Sequence, residues 1–187
     1  IPHLQPYLVN IYDELHKETK NPVILCEGAQ GFGLDIDWGD YPFVTSSHCT
    51  TGSALLNGIP PQAIRDVWGV AKAYETYVGA KKFELENSIF SKIRDSGKEY
   101  GATTGRPRQC GWLEVPFLEK SIKINGVNKV VFNKMDILEE VDRWTVKHKK
   151  NSFEVFENRK EFEKYFKFKM KRWGVEKVYF SDSPEKI

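Results

Sequence analysis

Apolar positions near the amino end of the chain recur every three or four residues, at Leu4, Leu8, Ile11 and Leu15. This spacing is typical of one face of a helix and predicts an amphipathic helix over residues 4–20. A continuous apolar run at residues 23–26 comes next and predicts a buried strand. The pattern therefore opens with a helix followed by a strand.

A second series of apolar positions begins after two prolines at 60 and 61, where proline suits the first turn of a helix. Its members are Ile64, Val67, Ala71 and Tyr74. Their spacing predicts a second helix. Residues 27–60 show no sustained periodicity, and long irregular segments in compact domains tend to carry function.

A third helix is predicted by the positions Val115, Leu118 and Ile122, with Gly126 at its carboxyl-terminal cap. Directly after it, the apolar run over residues 129–132 predicts a strand. The strand leads into a polar segment rather than into another apolar one.

The last helix is predicted to begin at a capping pair, Asn158 and Glu161, and to end at Gly174. It carries the aromatic residues Phe162, Phe166 and Trp173. A final strand is predicted over residues 175–180. Because helices separate the strands, the predicted fold class is α/β, with a largely parallel central sheet flanked by helices.

Composition changes this picture little. The 187 residues are 40% hydrophobic and 29% charged, with a formal net charge of +2. These values exclude wholesale disorder and give no reason to expect nucleic-acid binding, and no apolar stretch approaches the ~20 residues of a membrane helix. Cys26, Cys49 and Cys110 show no paired spacing, so we expect neither a disulfide framework nor a zinc ribbon, and we expect a cytoplasmic location.

Ligands of α/β sheets bind in the loops that leave the carboxyl ends of strands. Three polar loops follow the predicted strands, at residues 27–31, 133–136 and 181–184. In the first, Gln30 can donate and accept hydrogen bonds at the edge of a purine or an amide; a solvated Gln in a glycine turn is the alternative. In the second, the Asp136 carboxylate can accept from N1–H and the 2-amino group of guanine, and the Lys134 stem can lie over the base. A solvated Lys/Asp pair is the alternative there.

The segment at residues 101–108, GATTGRPR, combines two hydroxyls, backbone amides and two arginines in one loop. Arg106 and Arg108 suit bidentate capture of a carboxylate or phosphate. An exposed basic turn is the alternative, although it does not explain the dense grouping of Gly, Thr and Arg.

Other candidate residues are weaker. His48 and Cys49 are adjacent and have no evident third partner, which argues against nucleophilic catalysis. Asp35 and Asp37 suit metal ligation or acid/base chemistry, but solvated loop acids or interface residues have the same pattern.

Four segments resemble one family, adenylosuccinate synthetase. EGAQGFGLDIDWGDYPFVTSS at 27–47 resembles the hallmark segment of that family, and GATTGRPRQCGW at 101–112 is similar to its aspartate-binding loop. NKMD at 133–136 and FSDSP at 180–184 resemble its two guanine-contacting segments, in the same order. The resemblance implies a P-loop-NTPase-like α/β fold with long functional loops. The stretch between Asp136 and the carboxyl terminus is short, as in compact, archaeal-type members.

The resemblance also implies a reaction of purine biosynthesis. GTP would transfer its γ-phosphoryl group to O6 of IMP, and the amine of L-aspartate would displace the phosphate to give adenylosuccinate, GDP and phosphate. It implies Mg²⁺ and a homodimer, without membrane or nucleic-acid partners. Because the principal acid/base residues and the Mg²⁺ ligands of the family lie upstream of residue 1, we expect residues 1–187 to be the carboxyl-terminal portion of a single α/β domain, incomplete for turnover alone.

The family's site residues carry over position by position. The residues implied for IMP are Gln30, which would also support catalysis, Thr45, Val78 and Arg106. Those implied for aspartate are Ala102, Thr103, Thr104, Gly105, Arg106 and Arg108. Those implied for GTP are Arg108, Lys134, Met135, Asp136, Ser181, Asp182 and Ser183.

Some positions depart from the family pattern: Asp40 replaces Thr, Tyr77 replaces Arg, Lys81 and Lys82 replace Gly and Pro, and Ser183 replaces Gly. Two alternatives stay open. One is a phage-type relative that acts on dGMP to give 2-aminoadenylosuccinate, and the other is a non-catalytic nucleotide-binding fragment.

Overall fold

A computed structural model describes residues 2–17 and 23–185 of the chain. The chain divides into two compact units, residues 1–65 and residues 66–187. We call them the first unit and the second unit.

The described part of the first unit contains two short α-helices, α1 (Ile11–His16) and α2 (Gly52–Leu56). It also contains three 3-10 turns, Pro2–Tyr7, Phe32–Leu34 and Pro61–Ala63. Helix α1 begins at Asn10, whose side chain accepts a hydrogen bond from the Tyr12 amide at 3.1 Å. Most of this unit is irregular backbone.

Two predictions for the first unit are wrong. The helix predicted over residues 4–20 is broken after Tyr7, and Leu4, Leu8 and Ile11 are exposed; residues 18–20 lie outside the described residues. The run at 23–26 is irregular backbone rather than a strand, and Val23 and Leu25 are fully or largely exposed. An apolar run forms a buried strand only where a neighbouring strand completes its hydrogen bonds.

The second unit holds the regular structure. Its strands are β1 (Trp68–Lys72), β2 (Tyr74–Tyr77), β3 (Gln109–Glu114), β4 (Lys129–Asn133), β5 (Trp144–Lys149), β6 (Ser152–Phe156) and β7 (Lys177–Phe180). Its α-helices are α3 (Ser88–Ser96), α4 (Val115–Asn125), α5 (Met135–Glu140) and α6 (Arg159–Arg172). None of the helices in the described ranges is both long and apolar enough to cross a bilayer.

The strands form two sheets. The first is fully parallel in the order β1-β4-β7, with Lys72 opposite Asn133 and Phe132 opposite Phe180. The second has the order β2-β3-β5-β6, with a parallel inner pair and two antiparallel outer pairs. The predicted α/β class with a parallel sheet and flanking helices is confirmed, and the mixed second sheet is an addition to it.

The helix predicted after the two prolines at 60 and 61 is wrong. A 3-10 turn covers Pro61–Ala63, and residues 68–77 form β1 and β2 instead. Strand β1 is held in place by β4, far along the chain, and at Gly69 an added Cβ would lie 3.0 Å from Val127 Cγ1. This distant pairing overrides the local helical spacing.

The other predicted elements are confirmed. Helix α4 ends at Gly126, which adopts the left-handed conformation at φ 62°. The Asn158 side chain caps α6 by accepting from the Glu161 amide at 3.2 Å, and the Glu161 carboxylate accepts from the Glu157 amide at 3.1 Å. Phe162 and Phe166 of α6 are fully buried, and the Phe166 ring lies 4.6 Å from that of Phe132. Part of the core of the second unit therefore lies between α6 and the parallel sheet, and the same buried cluster includes residues of α3, α4 and α5.

Candidate functional site

Two of the predicted ligand loops meet at the carboxyl edge of the parallel sheet. Strands β4 and β7 are parallel neighbours, so the loops that follow them emerge side by side. The Met135 amide donates to the Ser181 carbonyl at 3.3 Å, and the Ser181 amide donates to the Phe132 carbonyl at 2.8 Å. The Ser181 hydroxyl donates to the Ser183 carbonyl at 2.6 Å. The segments 133–136 and 181–183 form one polar rim.

Lys134 is fixed at both ends of its side chain. Its backbone is left-handed, at φ 62°, and its Nζ donates to the Gly97 carbonyl at 3.0 Å. Because the ammonium group is held by the protein, the methylene stem has a defined course, as is needed for a surface on which a flat base lies.

Two acceptors in this rim are buried without a donor. Asn133 Oδ1 and Asp136 Oδ1 have no hydrogen-bond partner among the described residues. A buried acceptor left unpaired costs about 1–3 kcal/mol, so such atoms are rare in folded proteins. The rim therefore holds two oxygen acceptors that lack a donor within the described residues.

Two other predicted GTP residues have roles within the protein. The Met135 side chain is fully buried in the core, which leaves only its backbone for a ligand. Asp182 forms an ion pair with Arg159 at 2.8 Å, and Arg159 also pairs with Glu139 at 3.0 Å and Glu163 at 2.8 Å. These contacts join the end of β7 to the start of α6.

The predicted aspartate loop is a tight turn with an exposed tip. The Gly101 amide donates to the Arg106 carbonyl at 2.8 Å, and the Gly105 amide donates to the Gly101 carbonyl at 2.8 Å. Gly105 is left-handed at φ 62°. The tip residues are exposed and carry hydroxyl, amide and guanidinium donors: Ala102, Thr103, Thr104 and Arg106. The turn presents these donors to solvent as a group.

The base of this turn rests on a buried carboxylate. Glu99 is 2% exposed, and it accepts hydrogen bonds from Lys72 Nζ at 2.7 Å and 2.8 Å, from the Tyr74 hydroxyl at 2.8 Å and from Arg108 Nη1 at 3.2 Å. Burial lowers the pKa of Lys72 below its ordinary value, although Glu99 acts in the opposite direction. Burial and the bond to Glu99 together raise the pKa of Tyr74.

The segment after Val78 is fastened to the first residues of β3. The Gln109 side chain accepts from the Phe83 amide at 3.0 Å and donates to the Lys81 carbonyl at 2.6 Å. The Glu84 carboxylate accepts from the Cys110 amide at 2.5 Å and pairs with Arg94. Val78 itself is 40% exposed, so it is accessible to a ligand.

The first unit contains a second buried carboxylate, that of Asp35. Asp35 is fully buried, and its carboxylate accepts from the amides of Asp37 and Trp38 at 2.9 Å and of Cys49 at 2.6 Å. Burial acts to raise the pKa of Asp35, but these backbone donors outweigh burial and the pKa is lowered. Asp35 therefore organises the hallmark segment as a charged acceptor.

Asp37 and His48 lie beside Asp35, with ligand atoms of all three within 4.8 Å of one another. His48 Nδ1 lies 3.2 Å from Asp37. Since backbone amides already occupy the Asp35 oxygens, the structure favours the loop-organising role over metal ligation. Burial raises the pKa of Cys49, which disfavours a reactive thiolate there.

Gln30 and Thr45 belong to the first unit. Gln30 is left-handed at φ 59° and exposed, and its Oε1 accepts from the Ser47 hydroxyl at 3.4 Å. The Thr45 amide donates to the Leu34 carbonyl at 2.8 Å, and its hydroxyl lies 3.4 Å from that of Ser47. That these residues share a site with the loops of the second unit stays a prediction.

Sequence reasoning missed Glu99 and its partners Lys72 and Tyr74. An isolated acid before a glycine-rich turn has the same pattern as a solvated surface acid. The burial of Glu99 depends on β1 and β2, which the sequence pattern assigned to a helix.

Fold and site together define an α/β protein with polar ligand loops at the carboxyl edge of a parallel sheet. The family model for adenylosuccinate synthetase matches residues 1–179. The chain belongs to the adenylosuccinate synthetase family, and the predicted P-loop-NTPase-like fold class is confirmed with it.

Individual relatives agree with this assignment. The chain is 49% identical to adenylosuccinate synthetase of Halothermothrix orenii over 141 residues, which cover 72% of this chain and 32% of the relative. It is 45% identical to the Xanthomonas oryzae enzyme over 142 residues, covering 74% of this chain and 33% of the relative. The chain thus spans about a third of the length of these relatives.

A solved structure agrees as well. Fully ligated adenylosuccinate synthetase from Plasmodium falciparum matches with a TM-score of 0.83 at 28% identity, covering 97% of this chain and 53% of that one. The likeness extends over almost the whole of the present chain.

Proposed function

We propose that this chain takes part in the GTP-dependent ligation of L-aspartate to IMP. Phosphorylation of O6 turns a poor leaving group into a good one, and the aspartate amine then displaces phosphate to give adenylosuccinate. Family membership supports the reaction, and the polar rim supports the choice of nucleotide.

The observation that carries the proposal is the pair of unpartnered acceptors on Asn133 and Asp136. Guanine presents two adjacent donors, N1–H and the 2-amino group, to which one carboxylate is complementary. Adenine has no such pair. The fixed stem of Lys134 would support the base, and the backbone of the Ser181 and Ser183 segment would close the rim.

The remaining substrates are assigned to the other loops. The Thr103 and Thr104 hydroxyls and nearby amides would bind the aspartate carboxylates, and Arg106 would bridge aspartate and IMP. Gln30, Thr45 and Val78 would contact the purine edge, the 5′-phosphate and the ribose of IMP. A homodimer in the cytoplasm completes the proposal, and sedimentation velocity tests its oligomeric part.

Mg²⁺ would balance the charge of the transferring phosphoryl group. Mg²⁺ prefers octahedral oxygen ligands. The cluster of Asp35, Asp37 and His48 contains an imidazole, and its buried carboxylate already accepts three backbone bonds. These residues do not fit the ion.

The reaction is tested by ultraviolet assay of the natural protein, whatever its full length, with IMP, GTP, L-aspartate and Mg²⁺. We expect formation of adenylosuccinate. Folded protein without any spectral change would refute the proposal. Turnover of dGMP in place of IMP would identify the phage-type reaction, and GTP binding without turnover would identify a non-catalytic binding module.

The nucleotide assignment is tested by Asp136→Asn. An amide cannot accept both guanine donors, so we expect the KM for GTP to rise about tenfold or more. The amide does complement the 2-oxo group of xanthine, so use of XTP should improve. Asp142→Asn, at an exposed position, is the matched control and should leave the KM for GTP unchanged. An unaltered GTP/XTP preference in the Asp136 variant would contradict the assignment.

A further inference from the structure

The buried Glu99 carboxylate lies below the aspartate loop but belongs to none of the ligand segments predicted from the sequence. Its side chain contacts two cations, Lys72 at 2.7 Å and Arg108 at 3.2 Å, and one hydroxyl, that of Tyr74 at 2.8 Å. Its backbone carbonyl accepts from the Arg108 amide at 3.0 Å. One carboxylate facing two cations leaves one positive charge unbalanced at the base of the loop.

Arg108 is the partner with access to a ligand. Its side chain is 34% exposed, and among the described residues the only side-chain partner of its guanidinium is Glu99, through Nη1. The other N–H groups of this guanidinium have no side-chain hydrogen-bond partner among the described residues. The Arg108 carbonyl accepts from Arg94 Nε at 2.6 Å, so the backbone is fixed as well. The geometry is that of an arginine held on one edge and available on the other.

Lys72 affects how much of the positive charge of Arg108 is available to a ligand. Were Glu99 paired with Arg108 alone, the two charges would cancel and an anionic ligand would gain little. Because the Lys72 ammonium contacts both oxygens of Glu99, the carboxylate is already balanced. The charge of Arg108 is therefore left for an anion, in a partly buried place where such a charge is weakly screened.

The segment that carries Glu99 also contacts the nucleotide rim. Gly97 accepts from Lys134 Nζ at 3.0 Å, and a Cβ at Gly97 would lie within 2.4 Å of the Tyr74 hydroxyl. Gly97 thus lies close to both the Tyr74 hydroxyl and the Lys134 ammonium group. The base of the aspartate loop and the Lys134 side chain are held by the same short segment.

We propose that Glu99 is a positioning residue, which orients Arg108 toward a substrate oxyanion while Lys72 keeps the charge of Arg108 available. The inference rests on the proposed function. The oxyanion is a carboxylate of L-aspartate or a phosphate of GTP, since an arginine binds both by the same bidentate chemistry.

The kinetic test is Glu99→Gln in the natural protein, whatever its full length. Glutamine keeps the size of the side chain but removes the charge that orients Arg108. We expect the KM for either L-aspartate or GTP to rise about tenfold or more, with a smaller change in kcat. The substrate affected identifies the oxyanion, and the KM for IMP should change less than about twofold. If neither KM for aspartate nor KM for GTP rises more than about twofold, the proposal is overturned.

A matched control separates positioning from stability. Tyr74→Phe removes a donor to Glu99 without touching Arg108, so it should lower stability in urea while both KM values stay near those of the wild type. A double variant adds a second check. If Glu99 acts through Arg108, Glu99→Gln combined with Arg108→Met should match Arg108→Met alone. Additive effects on KM would overturn the proposal.

A third measurement does not depend on activity. In the natural protein, whatever its full length, ¹⁵N relaxation of the Arg108 Nε–H, assigned with Arg108→Lys, reports how firmly the guanidinium is held. We expect an ordered group in the wild type and a mobile one in Glu99→Gln. Equal order in both would overturn the positioning role even in an active enzyme. A wild type without synthetase activity would refute the proposed function, and this measurement would then still decide on Glu99.

Discussion

Among the described residues of the first unit, Phe32 is the one buried hydrophobic side chain, whereas α6 alone buries Phe162, Phe166 and Met170 in the second. The first unit is organised instead by Asp35, which collects three backbone amides on one carboxylate. The second unit is thus stabilised by apolar burial, and the hallmark segment of the first by polar contacts. We expect the two units to respond to different perturbations.

The largest expected effect is in the aromatic core of the second unit. Phe166→Ala leaves a cavity between α6 and β4 and should lower the free energy of unfolding by about 3–5 kcal/mol in urea titrations. Phe168→Ala is the matched control in the same helix, because Phe168 is 58% exposed, and it should change stability by less than about 0.5 kcal/mol. Equal losses from both variants would contradict this view of the core.

The next effect is in the first unit. Asp35→Asn replaces a charged acceptor of three amides, so we expect amide hydrogen exchange at Trp38 and Cys49 to accelerate about 10- to 100-fold. Amides of α6 should keep their protection. Asp37→Asn, at an exposed side chain, is the control and should leave the exchange of Cys49 unchanged. Unaltered protection in the Asp35 variant would show that something else organises the segment.

Acid should reveal a second difference between the two units, in the protection of their amides from exchange. The pKa of folded Asp35 is below its ordinary value of 3.8, so its ionisation stabilises the folded segment above that pH. The contribution is lost as the pH falls through the lower, folded pKa. We expect the protection factors of Trp38 and Cys49 to decrease below pH 3.8 in the wild type and to show no such step in Asp35→Asn. A step that persists in the variant would assign it to another group.

The smallest effect compares two helix caps. Asn158→Ala removes the cap of α6, which has a buried face, and should lower the free energy of unfolding by about 1 kcal/mol. Asn10→Ala removes the cap of α1, which buries no residue, and should leave the urea midpoint unchanged. A global loss from the Asn10 variant would show that α1 contributes more to stability than its exposure indicates.

The elements that the sequence predicted correctly carry their own local signals. Helix α4 has a glycine cap at Gly126, α6 has the Asn158 and Glu161 pair, and β4 and β7 are apolar runs beside them. The wrong predictions had local signals as well, an apolar run at residues 23–26 and two prolines at 60 and 61, but the tertiary contacts that decide the structure lie outside those segments. Strand β1 has helical spacing and becomes a strand only because β4 pairs with it, a contact between distant parts of the chain.

The same division holds for the candidate site. The loops at 133–136 and 181–184 were predictable, since polar residues directly follow apolar runs there. The Glu99 cluster was not, because its acid accepts hydrogen bonds from Lys72 and Tyr74, which lie on strands that the pattern did not reveal. Which polar residues are buried depends on the tertiary fold, and a local pattern does not contain it.

The unpaired oxygens of Asn133 and Asp136 also affect the stability of the chain. Dry acceptors lower the stability of the empty chain, and a base that brings donors to them removes that penalty. A base that brings acceptors would make it worse. The melting temperature of this chain should therefore rise more with purines whose edge carries donors than with purines whose edge carries acceptors. The choice between bases and the gain in melting temperature would then depend on the same contact.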